Sequence, residues 1–251
     1  MDGSRIGRPV YAYAKVGSTM DVARRLAQQG ATEGALVWAA RQEQGRGRLG
    51  RVWESPEGGA YFSLILKPTR AAAEISQLSL VTGLAAAQAI HELTGLFPAI
   101  RWPNDLLLND RKVAGMLVEA LSLQSLSAER STLYAIVGVG INVATRPEDL
   151  PDGATSLVAE GTITCTPESL TGALCRLFAT WYDEWTARGF GPIREALRHW
   201  IGVFGHPVQL TAGTDRFQGT ASDLDESGRL LVRLDSGIIR PFDMGEVTRL
   251  R

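Results

Sequence analysis

Arg101-Trp-Pro-Asn-Asp-Leu-Leu-Leu-Asn-Asp-Arg-Lys-Val-Ala-Gly-Met-Leu-Val-Glu119 is the stretch on which the fold turns. Ile100 to Trp102 reads as a strand that Pro103 stops, because proline has no amide hydrogen to give to a ladder. Leu106 to Leu108 and Val113 to Ala120 read as two strands of a hairpin, with Asn109-Asp110-Arg111 at the turn. The hairpin returns Lys112 to the edge where Asn104 and Asp105 sit. Asp105 could hold a cation or orient an amine, and Lys112 could neutralise a phosphate or a carboxylate. A surface hairpin with an ordinary ion pair is the plainer alternative. It is weakened because Ala114-Gly-Met-Leu-Val118 is apolar on both faces, so Lys112 leads straight into a buried strand.

Outward from this hairpin the pattern alternates between strands and helices. On the N-terminal side lie a helix over Thr19 to Gln29, with Ser18 or Thr19 as its cap, and a buried strand over Ala35 to Ala40. A strand over Ala60 to Leu66 and a long buried helix over Glu74 to Leu93 follow. On the C-terminal side, Ala135 to Val143 is a strand interrupted by Gly138 and Gly140. Glycines there mark a place where backbone approaches something closely. Helices are expected over Pro167 to Arg188 and Pro192 to Ile201. After Gly205 come short strands at Val208–Thr211, Phe217–Leu224, Leu230–Leu234 and Ile238–Phe242, spaced as in a small barrel or sandwich. The expected architecture is α/β (α+β), with one domain over residues 1–202 and a small β domain over 203–251.

Composition narrows the function. The chain has 251 residues, 45% hydrophobic and 21% charged, with a formal net charge of −1. No global pull toward nucleic acid or an anionic membrane is expected, so any anion site must be a local cluster. Cys165 and Cys175 match no zinc or redox spacing, and His91, His199 and His206 are scattered. Neither a signal peptide at Met1-Asp-Gly-Ser-Arg-Ile6 nor a bilayer-spanning run is expected, which fits a cytoplasmic protein.

One local cluster stands out. In Arg41-Gln-Glu-Gln-Gly-Arg-Gly-Arg-Leu-Gly-Arg51, Arg46, Arg48 and Arg51 alternate with Gly45, Gly47 and Gly50. Glycine leaves backbone N–H groups accessible, and guanidinium groups match phosphate oxygens in a fork. The loop suits a polyphosphate, though it is not the P-loop pattern, and a solvated basic loop stays open. Gly138-Val-Gly-Ile-Asn142 ends in a residue that could read a base edge or a ureido group, or could simply be a turn Asn beside a bulge. Gly17-Ser-Thr is no nucleophile elbow, and no hydrolase triad is visible.

Taken together, Gly17-Ser-Thr-Met20, Gln42, Gly45-Arg-Gly-Arg-Leu-Gly-Arg-Val-Trp53, Arg101-Trp-Pro-Asn-Asp-Leu106, Arg111-Lys-Val-Ala-Gly115 and Gly138-Val-Gly-Ile-Asn142 resemble the catalytic domain of the biotin–protein ligases, in the same order. The resemblance runs from about Tyr11 to the end. It implies a mixed sheet related to class II aminoacyl-tRNA synthetases and lipoate ligases, followed by a small Src-homology-3-like barrel. By that resemblance Ser18, Thr19 and Gln42 hold the biotin head, and Arg46, Gly47 and Arg48 close over biotin and its adenylate. Lys112 lies near the carboxylate and α-phosphate, and Gly115 lines the biotin pocket. Arg48, Arg51, Trp53, Asn104, Lys112 and Asn142 serve the nucleotide, and Lys112, Arg48 and Asp105 are the catalytic candidates.

The implied substrates are biotin and ATP with Mg2+, with no permanently bound cofactor and no metal held by protein ligands. The implied partner is a biotin carboxyl carrier domain of a biotin-dependent carboxylase. DNA and membrane are not expected as partners, and a homodimer is left open. The chain departs from the family at Met20, where asparagine is usual. The helix-turn-helix domain that some members carry is not expected before Tyr11. The rivals are a lipoate or octanoate ligase of the same fold, a biotin sensor, and a nucleic-acid-binding module. Gln42 argues against the first, because an alkyl or dithiolane tail has no ureido group. The near-neutral charge and the lack of aromatics within the loop argue against the last.

Overall fold

In a computed structural model, which describes residues 5–124, 131–161 and 164–250, the hairpin at Asn109-Asp110 belongs to a seven-stranded sheet. Met1 to Ser4, most of the segment read for a signal peptide, lie outside the described residues. The strands are β1 (Val10–Val16), β2 (Leu36–Gln42), β3 (Gly59–Leu66), β4 (Ala99–Arg101), β5 (Asp105–Leu108), β6 (Arg111–Gln124) and β7 (Ser131–Asn142). Their order is β1-β2-β3-β7-β6-β5-β4, with β1 and β2 parallel and every other pair antiparallel. Asn109 and Asp110 take positive φ of 49° and 62°, the backbone that a two-residue hairpin turn needs and that these two residue types tolerate.

Among the described residues, five α-helices accompany the sheet: α1 (Thr19–Gln28), α2 (Leu78–Thr94), α3 (Leu157–Glu160), α4 (Pro167–Arg188) and α5 (Gly191–Leu197). Alternation along the strands separates two cores. Phe62 and Leu64 of β3, with Val137, Val139 and Ile141 of β7, join α2 and α4 in the larger one. Ile65, Tyr134 and Ile136 face the other way and pack with Met20, Ala23 and Ala27 of α1 in the smaller one. Gly138 and Gly140 fall on this second face. One short helix covers only part of it, and the uncovered part becomes the cleft described below.

Two helices differ from their expected spans by more than one residue. The helix expected from Glu74 begins as a 3₁₀ turn over Ala72–Gln77, and α2 starts at Leu78. The Glu74 carboxylate bends back to accept from the Ala71 amide at 3.1 Å and from Arg70, so the first turn winds round that cap. The helix expected to reach Ile201 ends at Leu197, because the Ile100 amide donates to the Trp200 carbonyl at 2.6 Å and draws the following chain onto the sheet edge.

The C-terminal strands are β8 (Pro207–Ala212), β9 (Asp215–Leu224), β10 (Leu230–Leu234), β11 (Ile239–Phe242) and β12 (Glu246–Arg249). They pair antiparallel in the order β11-β10-β9-β8-β12, so the small β domain has β11 and β12 as its edges. The division expected at residues 202 and 203 falls between α5 and β8, and packing across it is continuous. The buried Trp102 indole donates to the Gly228 carbonyl at 3.0 Å, and Gly228 lies against Leu80 and Phe190.

Candidate active site

The floor of the cleft is bare backbone. Gly115 of β6 pairs with Gly140 of β7, and Leu117 pairs with Gly138. A Cβ on Gly140 would lie 2.5 Å from the Trp53 ring, and one on Gly115 would lie 3.0 Å from the same ring. One on Gly138 would lie 2.7 Å from Met20 Sδ. These glycines let an indole and a thioether rest directly on the sheet. Above them opens a cavity of about 510 Å³.

One end of the cleft is polar and uncharged. Ser18 caps α1 with extended backbone, and the Thr19 amide at the helix start donates to Gln42 Oε1 at 2.8 Å. Thr19 Oγ1 also reaches Gln42 Oε1, at 3.1 Å, and shares a 2.9 Å hydrogen bond with Ser63 Oγ. Gln42 Nε2 donates to Ser55 Oγ at 2.9 Å, and Ser55 Oγ donates to the Trp53 carbonyl at 3.1 Å. This chain fixes which way the Gln42 amide faces. It also ties the amide to the end of the glycine–arginine loop. Ser55 and Ser63 were not among the sequence candidates.

The other end is charged. Lys112 Nζ lies 2.7 Å from Asp105 Oδ1, while Asp105 Oδ2 accepts from Arg101 at 2.6 Å. Asp105 is thereby a hub between two cations. Lys112 Nζ also stands 5.2 Å above the Trp53 ring, a cation–π contact. Arg48 donates to Asn104 Oδ1 at 2.8 Å, and Asn104 is fixed in turn by its Nδ2 on the Met116 carbonyl. Burial pulls the Arg48 guanidinium below its ordinary value, against the opposing pull of Asp105 and Glu246. Five cations line the cleft, Arg46, Arg48, Arg51, Arg101 and Lys112, against two carboxylates, Asp105 and Glu246. A chain of net charge −1 thus holds a concentrated positive site.

The glycine–arginine loop forms one wall. Its base is a bridge between Arg46 and Val52, with the Trp53 amide on the Gly45 carbonyl at 3.0 Å. Its tip is the 3₁₀ turn Arg48–Gly50, where Leu49 takes φ 57°. Arg51 pairs with Glu246 of β12, so the small β domain supplies the facing wall with Thr211, Gly213 and Met244 to Thr248.

The structure therefore brings Ser18, Thr19, Gln42, Arg46, Gly47, Arg48, Arg51, Trp53, Asn104, Asp105, Lys112 and Gly115 to one cleft. Asn142 is not on its wall. It is buried two residues beyond Gly140, and its Nδ2 donates to the Thr155 carbonyl at 2.9 Å. The Arg46 guanidinium, read from sequence as facing biotin, is engaged by Asp21 and Glu119. No Cys or His lines the cleft among the described residues, so its chemistry rests on positioning and charge.

The chain matches the biotin/lipoate A/B protein ligase family over residues 13–142 and the biotin protein ligase C-terminal domain over residues 203–249. It belongs to that ligase family. The biotin–[acetyl-CoA-carboxylase] ligase of Paracoccus denitrificans is 36% identical over 232 residues, covering 89% of this chain and 94% of the relative. The bifunctional ligase/repressor BirA of Bacillus subtilis is 34% identical over 239 residues, covering 93% and 72% respectively. The biotin protein ligase of Aquifex aeolicus, solved in complex with biotin and ATP, superposes with a TM-score of 0.80 at 30% identity, covering 97% of this chain and 99% of that one. No helix of the described residues is long and apolar enough to cross a membrane.

Proposed function

We propose that this chain is a biotin–protein ligase, which converts biotin and ATP to biotinyl-5'-AMP and passes the biotinyl group to a lysine of a biotin carboxyl carrier domain. The observation that carries this reading is the polarity of the cleft. A hydrogen-bonding end at Ser18, Thr19 and Gln42 is joined by a glycine floor to a cationic end at Lys112, Arg48 and Arg101. Biotin has the same layout, with a ureido head, an apolar bicycle and chain, and a carboxylate. Relatives named as biotin ligases, and the solved ligase carrying biotin and ATP, support the choice of substrates. A dithiolane or alkyl tail has no ureido group to meet the polar Thr19–Gln42 end, which disfavours lipoate and octanoate.

In the first step a biotin carboxylate oxygen attacks the α-phosphorus of ATP. The bond to the β-phosphate oxygen breaks, and pyrophosphate leaves with the magnesium that entered with ATP. Lys112 sits where negative charge gathers between the two anions, and Asp105 holds its ammonium in place. Arg48 leaves only a neutral partner, Asn104, when it turns to a phosphate. In the second step a neutral lysine amine attacks the acyl carbon, and the acyl–oxygen bond to AMP breaks. Lysine in water has a pKa of about 10.4, so the amine must lose a proton on the way. Asp105, whose two oxygens face Lys112 and Arg101, is assigned to orient the incoming amine or to take the proton it loses. Arg51 and Trp53, which line the cleft, are assigned to the nucleotide. The same reading puts the reaction in the cytoplasm, where ATP and the carrier domain meet. A calorimetric titration with biotin, lipoate and octanoate, each beside a non-hydrolysable ATP analogue, tests the choice of acid. Biotin should bind at least tenfold tighter than the other two, and preference for lipoate would overturn the proposal.

A further inference from the structure

The three arginines of the loop are held in three different ways. Arg51 pairs with Glu246, but both side chains are more than half exposed, so that contact is weak. Arg48 has one neutral hydrogen bond, to Asn104. Arg46 grips two carboxylates on two elements: Asp21 Oδ1 of α1 at 2.6 Å and Glu119 Oε1 of β6. Glu119 is mostly buried, with 20% of its side chain exposed, and its second oxygen accepts from Arg24 of α1. Arg46, Arg24, Asp21 and Glu119 thus form one alternating cluster that links loop, helix and sheet.

We propose that Asp21 and Glu119 are positioning residues that hold the glycine–arginine loop over the cleft by gripping Arg46, and so set how long the acyl adenylate stays on the enzyme. Three observations converge. Arg46 lies at the root of the loop, in the bridge with Val52, so fixing it fixes the hinge of everything from Gly47 to Arg51. Glu119 follows Leu117 on the cleft face of β6, so the grip pulls the loop toward the floor on which the reacting groups lie. Arg46 is committed to two carboxylates while Arg48 is not, which leaves Arg48 free for the phosphate and makes Arg46 the fixed point about which it swings.

The substrate side of this inference rests on the ligase reading. Loop fixation by itself does not. If the grip is lost, the adenylate escapes. In water its acyl carbon adds a water oxygen, the acyl–oxygen bond to AMP breaks, and biotin and AMP return. Meeting a neutral surface lysine, its acyl carbon bonds to the amine nitrogen as the acyl–oxygen bond to AMP breaks, and the nitrogen's extra proton passes to water.

Glu119→Gln and Asp21→Asn remove the charges with almost no change of shape. The first readout needs no substrate. Trypsin cuts after Arg46, Arg48 and Arg51, and in the unliganded variants cutting within this segment should be about fivefold to tenfold faster than in wild type, at a melting temperature within a few degrees of it. The second readout is retention. Pre-formed biotinyl-5'-AMP should leave the variants about tenfold faster, while the single-turnover rate of its formation falls far less. The third is coupling. Arg46→Gln alone should accelerate escape about as much as Arg46→Gln with Glu119→Gln, because the first change already breaks the contact between Arg46 and Glu119. Unchanged trypsin cutting in both single variants overturns the latch, whatever the substrate. Faster cutting with unchanged adenylate escape overturns its role in retention. A wild-type protein that makes no biotinyl-5'-AMP defeats the ligase reading instead, and the latch is then judged by the trypsin rates alone.

Discussion

Replacing Met20 with asparagine, the residue usual at this position in the family it resembles, separates packing from recognition. Met20 is 3% exposed and belongs to the core under α1, with Ala23, Ala27, Ile65, Tyr134 and Ile136. Its sulfur rests on Gly138, a residue without a Cβ to obstruct it. Met20→Asn forfeits apolar burial of about 1.5–3 kcal/mol. It also leaves an amide facing apolar neighbours, at a further cost of roughly 1–3 kcal/mol. A net loss of about 3 kcal/mol lowers the melting temperature of a chain this size by roughly 6–12 °C. The opposing term, a neutral hydrogen bond from the new amide to the ureido head, is worth about 0.5–1.5 kcal/mol, or at most about tenfold in affinity. The Thr19–Gln42 contacts run through the Thr19 amide and hydroxyl and survive the change. Biotin affinity should therefore stay within about threefold of wild type. Differential scanning fluorimetry and calorimetry on one purified variant decide the matter. Tightening of biotin binding by fivefold or more, with the melting temperature unchanged, would refute the packing account.

Lys112→Ala should cut biotin-dependent pyrophosphate release by about 10²–10³-fold while the melting temperature stays within a few degrees, because the charge at the reacting centre is lost and the hairpin is not; release within a few-fold of wild type would remove Lys112 from the chemistry. Arg48→Gly frees the loop tip and deletes the half-buried guanidinium, so biotin should appear on bystander proteins mixed with the enzyme; a streptavidin blot showing label on the carrier alone would show that Arg48 does not retain the adenylate. Trp102→Phe deletes the donor to Gly228 in the seam between the two sheets, and should lower stability by about 1–3 kcal/mol and slow adenylation more than it weakens biotin binding; equal losses in both would show that the seam does not position Asn104 and Asp105.

Local chemistry was legible in the sequence wherever it is written in neighbouring residues. The hairpin, expected to turn at Asn109-Asp110-Arg111 and found to turn at Asn109 and Asp110 with Arg111 already in β6, the close backbone approach at Gly138 and Gly140, and the convergence of Lys112 with Asp105 all follow from turn residues and strand periods, and the structure shows them. What escaped depends on contacts across the chain. Arg46 meets residues 25 and 73 positions away, and Thr19 meets Ser63 44 positions away, so nothing in the loop's own sequence announces its partners. The polar end of the cleft was read as Ser18, Thr19 and Gln42, but the serines that orient it lie on β3 and after the loop. β1 was missed because it is an edge strand exposed along most of its length, so the alternation that marks a half-buried strand is absent. β12 was missed because Val247 is its one buried residue.

The central claim is that this cleft joins biotin to AMP, and the product itself tests it most directly. The purified chain is mixed with magnesium, ATP and an equal mixture of biotin, lipoate and octanoate, without any carrier, and the denatured mixture is analysed for acyl adenylates by mass spectrometry. The account predicts biotinyl-5'-AMP as the dominant adenylate, matched by released pyrophosphate and absent with Lys112→Ala. Lipoyl- or octanoyl-AMP in its place, or tightly bound biotin with no adenylate at all, would contradict it.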